Sequence, residues 1–169
     1  MNKFSKKYHL LLTLFAVLFL LTGCNQSSDQ REFEQAAFSL ADGFTETNSR
    51  GEVINRDPDD WRIAPFFQGL IEIDPAFPNP VQSNEQITIN RVVTGIESIS
   101  GFRVLVFYAN SNIQFIFDDF ERPLSPGLRS IPLQAADIAQ FAENPQGLYR
   151  LIILDVNENV ISYGDIMIE

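Results

Sequence analysis

The chain has 169 residues, a formal net charge of −10 at neutral pH and a single cysteine, Cys24. Its lysines all lie within the first seven residues and its acids all follow Cys24, so the bulk of the chain repels phosphate backbones and offers no basic patch to anionic headgroups; nucleic acid is excluded as a partner. With His9 and Cys24 the only residues of their kinds, nothing downstream can form an intramolecular disulfide, a Ser-His or Cys-His nucleophilic site, or a His/Cys zinc site.

Lys3, Lys6 and Lys7 precede the apolar run from Leu10 to Leu21, the order of a secretory signal peptide. A helix of that length, about 18 Å, is too short for a hydrocarbon core of about 30 Å. The run ends Leu21-Thr22-Gly23-Cys24. This tetrapeptide resembles the lipobox of bacterial lipoproteins. The resemblance implies diacylglycerol on the Cys24 thiol, cleavage between Gly23 and Cys24, and in many of these bacteria a further acyl chain on the new amino group. Two or more chains anchor stably where one is marginal. Residues 1–23 then form the signal, and the polar residues 24–30 read as a flexible tether. In Gram-negative bacteria an Asp just after the lipidated Cys often retains a lipoprotein in the inner membrane; Asn25 favours the outer membrane.

Residues 31–69 read as an N-terminal extension. Phe33, Ala37 and Leu40 recur at helical spacing between Arg31 and Asp42, with Gly43 to end the helix. Phe44 to Ile54 reads as a hairpin with its turn at Asn48-Ser-Arg-Gly51. From Leu70 onward strands recur. Ile71 and Ile73 share a face, and Pro75-Ala-Phe-Pro-Asn-Pro80 interrupts. Ile87 and Ile89 alternate with polar residues, Phe102 to Ala109 reads as a central strand, and Ile113, Phe115 and Phe117 alternate. Leu128 to Leu133 is a further strand, followed by a helical turn or two up to Phe141. Tyr149, Leu151 and Ile153 define one face of the next strand, and Asn157-Glu-Asn159 turns the chain. In the last strand Ile161 and Tyr163 have one parity and Ile166 and Ile168 the other, which predicts a β-bulge near Gly164-Asp165. Six or seven strands with few helices predict an all-β, two-sheet sandwich over residues 70–169.

Pro75-Ala-Phe-Pro-Asn-Pro80 and the later Gly147-Leu-Tyr-Arg-Leu resemble the immunoglobulin-like modules of Bacteroidetes-type surface proteins, which often read "YPNP" and "GxYxL". The resemblance spans Asp74 to Glu169 and implies an immunoglobulin-like sandwich. The lipobox and the terminal Glu169 depart from modules that act as sorting signals, so only the fold carries over.

Three clusters are candidate sites. Trp61, Phe66 and Phe67 could anchor a partner or stack on a sugar. No metal or cofactor is expected, and Asp57, Asp59 and Asp60 are the calcium candidate, without the spacing of an EF-hand. Asp118 and Asp119 could be paired for glycoside chemistry, but neighbours on a strand point to opposite faces. The expectation is a non-enzymatic lipoprotein, anchored through Cys24 in the cell envelope and serving as an accessory or binding module for another envelope protein. The alternative is a carbohydrate- or calcium-binding surface domain.

Overall fold

The structure is a computed structural model and describes residues 25–169. The chain starts with helix α1 (Asn25–Ala37) and a short hairpin, β1 (Glu46–Thr47) and β2 (Val53–Asn55), followed by a 3-10 turn (Pro65–Phe67). The strands then run β3 (Ile71–Ile73), β4 (Gln86–Val93), β5 (Phe102–Phe107), β6 (Ile113–Asp119) and β7 (Gly127–Gln134). After the short helix α2 (Ala135–Ile138), β8 (Gly147–Leu154) and β9 (Val160–Ile168) complete the fold.

Two antiparallel sheets face each other, one ordered β3-β4-β7 and the other β6-β5-β8-β9. This is an immunoglobulin-like β-sandwich. Ile87, Ile89 and Val93 of β4 meet Phe102, Val104 and Val106 of β5 and Leu151 and Ile153 of β8 in one core. Tyr149, at the start of β8, donates its hydroxyl proton to the Pro145 carbonyl at 3.0 Å, the corner bond of such folds. The β8–β9 turn is knotted by Asp155, whose carboxylate accepts from the backbone and the side-chain amides of Asn157 and Asn159.

Each long strand edge is closed or blunted. Trp61 and Ala64 donate backbone hydrogen bonds to Tyr163 and Ile161, and the stretch from Val81 pairs in parallel beside Ile168, so β9 is covered on its open side. Pro132 interrupts the donors of β7, and a register shift opposite Val104 and Leu105 bends β6. These are the usual defences of a sheet edge against pairing with another chain.

Residues 25–30 are not a flexible tether. They form the first turns of α1, held by Gln30, whose side-chain amide donates to the Val160 carbonyl and whose oxygen accepts from Phe66 N. The helix ends at Ala37 rather than reaching Asp42, and Leu40 lies exposed beyond it. The register shift in the last hairpin is not at Gly164-Asp165. It lies opposite Ile153 and Leu154, where Ile161 is the extra residue. The change of parity that suggested a bulge further on has another cause: β9 is buried on both faces, by the core on one side and by α1 on the other.

One charge sits in the sandwich interior. Arg91 follows Ile87 and Ile89 on the core face of β4, with its guanidinium 4.8 Å from the Phe102 ring centroid. Nη2 donates to Asp119 at 2.8 Å, a carboxylate shared with Arg129, while Nε and Nη1 have no partner among the described residues. Burial lowers the Arg91 pKa, against the pull of Asp119.

Candidate functional site

A dense polar cluster lies where the N-terminal extension meets the outer face of β8 and β9. Arg150 on β8 and Asp165 on β9 stand opposite each other in register. Their side chains form a two-bond fork, Nε to Oδ1 and Nη2 to Oδ2, each 2.7 Å. The remaining guanidinium nitrogen donates to the Ala36 carbonyl at 3.0 Å and to Ser39 Oγ at 2.6 Å, capping the end of α1. Asp42 N donates to Asp165 Oδ2. Asp60 completes the cluster, with its oxygens accepting from Thr45 N at 2.7 Å and Asp165 N at 3.0 Å. Burial and the nearby Asp165 carboxylate push the Asp60 pKa up to about 7.

Beside it, fully buried Asn79 ties three segments together. Its amide nitrogen donates to the Thr45 and Asp165 carbonyls, and its oxygen accepts from Met167 N, all within 3.0 Å. The Pro-Asn-Pro stretch thus has a physical function here: it holds one amide where it satisfies the hairpin and the last strand at once. Together these groups latch the extension to the sandwich.

The predicted site residues divide accordingly. Cys24 lies outside the described residues. Trp61 and Phe67 are buried, at 4% and 7% exposure, and cannot serve as surface anchors. The Trp61 ring covers Gly164, which leaves no room for a side chain. Phe66, 45% exposed, is the only one of the three rings open to a partner. Asp60 turns inward to backbone N–H groups, and Asp57 Oδ1 accepts from Asp59 N, so the three carboxylates do not converge. Among the described residues no group of three or more His, Cys, Asp or Glu could hold a metal ion. Asp118 and Asp119 point to opposite faces, one pairing with Arg103 and the other with Arg91 and Arg129, and are not a catalytic pair.

No family model matches the chain, and no curated protein matches it. Among solved structures, the crystal structure of an LPMO from Kitasatospora papulosa aligns over 55% of this chain and 52% of its own, at 10% identity and a TM-score of 0.36. The chain thus spans about half the length of that structure.

Sequence reasoning missed Arg150 and Asp165. The signal was present: each is the lone charge in a strand otherwise without charge and mostly apolar, and unpaired charges are rarely buried.

Proposed function

We propose that this chain is a bacterial envelope lipoprotein, anchored through acyl chains on Cys24 and acting as a non-enzymatic binding module. The observation that carries the reading is the apolar run closed by Leu21-Thr22-Gly23-Cys24 behind a basic amino terminus. Asn25 favours the outer membrane over the inner. The absence of His and Cys from residues 25–169 favours binding over nucleophilic catalysis. The exposed ring of Phe66, hydrogen-bonded through its backbone to α1 close to the anchor, is the contact offered to an envelope protein.

Metabolic labelling with a fatty acid tests the anchor. The wild-type chain takes up label, and Cys24→Ser takes up none and accumulates as the uncleaved precursor. Label on the Ser variant overturns the reading. Gentle detergent extraction followed by co-purification tests the module: Phe66→Ala lowers partner recovery without changing the melting temperature, and unchanged recovery removes Phe66 from the interface.

A further inference from the structure

Two adjoining grooves open at the end of the sandwich that carries the β5–β6 turn and the α2–β8 loop. They are shallow and open to solvent, with volumes of about 690 and 240 Å³, and share Tyr108 and Gln140. Although a fifth of the chain is charged, no residue lining either groove is. The larger groove is lined chiefly by amide and aromatic side chains, and the smaller by aromatic and aliphatic ones, Leu40 and Leu148 among them. Asn110, Asn112, Gln114 and Gln140 surround the larger groove, with Phe141 63% exposed at its rim. Tyr108 and Tyr149 meet edge to face at 6.3 Å where the two grooves join.

The internal hydrogen bonds leave much of this surface free. The Tyr108 hydroxyl is taken up by Gln114 Oε1 and the Ile138 carbonyl, and Asn110 Oδ1 accepts from Asn112 N. The side chains of Ser111, Asn112 and Gln140 make no hydrogen bond to any described residue. An amide offers donors and an acceptor side by side, which matches a hydroxyl that must both give and receive. Aromatic rims suit the apolar faces of a sugar ring, with the few polar groups fixing orientation. An anionic or cationic ligand would find no counter-charge here.

We infer that this pair of grooves binds an uncharged oligosaccharide, through the free amides of Asn112 and Gln140 and the ring of Phe141. The inference goes beyond the proposed binding role by naming a ligand class, and the binding itself does not require the anchor. The anchor matters only for presentation. Gln30 on the first turns of α1 bonds to Val160 at the start of β9, whereas the grooves lie beside Gly147, paired with Ile168 at its end. Nine strand residues, roughly 30 Å, therefore separate the anchored end from the grooves. An acylated Cys24 would turn them away from the bilayer.

The test uses the full chain, purified in a detergent without a sugar headgroup, and calorimetric titration with cellohexaose, chitohexaose and mannohexaose. At least one binds, with an affinity insensitive to a severalfold rise in salt, as expected without ion pairing. Asn112→Ala, Gln140→Ala and Phe141→Ala each weaken it by about tenfold, the effect of losing one well-placed contact, with the melting temperature unchanged. Three outcomes overturn the inference: no hexasaccharide binding at millimolar concentration, binding indifferent to all three variants, or capture of an uncharged proline-rich peptide in their place. Failure of Cys24 to take up fatty acid would leave these titrations unaffected, so the two readings fail separately.

Discussion

The indole of Trp61 occupies the space in which a side chain at Gly164 would stand: a Cβ there would overlap Cε2, Cδ2 and Nε1 of the ring. Residues a hundred positions apart are thereby made complementary, and the backbone bond from Trp61 N to the Tyr163 carbonyl at 2.7 Å fixes the approach. Gly164→Ala is expected to destabilise the fold by about 1–3 kcal/mol through overpacking, and Trp61→Ala by about 3–5 kcal/mol through the cavity it leaves. The double variant should cost clearly less than the sum, because removing the ring removes the clash. Denaturant melts of the four proteins measure this coupling, and simple additivity would refute the contact. Trp61→Phe should be milder than Trp61→Ala, since Nε1 has no partner to lose among the described residues.

Asn79→Ala removes three buried hydrogen bonds and strands two carbonyls and one N–H. A loss of about 3 kcal/mol is expected from equilibrium unfolding. Asn79→Asp should be worse, because it replaces a donor to two carbonyls with a carboxylate that repels them. If Asp is tolerated better than Ala, the Thr45 and Asp165 carbonyls are not what holds residue 79 in place.

Asp60 gives the stability a pH dependence. Its folded pKa of about 7 lies above the unfolded value of 3.8, so the folded state holds the extra proton between them. The stabilisation is complete below the unfolded value and is lost as pH rises through 7. Stability therefore falls as pH rises towards and through 7; Asp165, whose pKa burial also raises, acts in the same direction, and residues 25–169 contain no histidine or cysteine. Asp60→Asn should flatten this slope while lowering stability at every pH, since its NH₂ would face a backbone N–H. Thermal melts across the range decide, and a slope unchanged in the variant assigns it elsewhere.

Arg91 and Asp119 should respond asymmetrically. Arg91→Met removes a buried guanidinium with two unpartnered nitrogens and leaves Asp119 paired with Arg129, so stability should be unchanged or higher. Asp119→Ala strands the buried charge and should cost about 3–5 kcal/mol. Chemical denaturation of both variants distinguishes them, and a large loss for Arg91→Met would show that its packing on Phe102 outweighs its desolvation.

The sandwich could be read from the sequence wherever a strand keeps one wet face. Ile71 and Ile73, and Ile87 and Ile89, alternate with exposed or half-exposed neighbours, and the structure places them so. Periodicity fails where both faces are covered, as along β8 and β9, and there the bulge was misplaced by three residues. The helical character of Asn25–Gln30 was hidden for a different reason. Short helices are marginal alone, and this one is held by contacts with Val160 and Tyr163, far off in sequence. Burial of Trp61 was likewise invisible, because it depends on the missing side chain of Gly164.

The backbone is helical from the residue after Cys24, and this sets how far an anchored domain can search. Six flexible residues would let it roam on the order of 13 Å from its point of attachment and tumble freely. A helix latched to the sandwich removes that slack. With Cys24 acylated, the domain would move as a rigid post whose lateral diffusion follows the lipid and whose far end sweeps a thin shell at fixed height. Encounters would then be confined to ligands or partners at that height, which raises their effective concentration and excludes those lying deeper or further out.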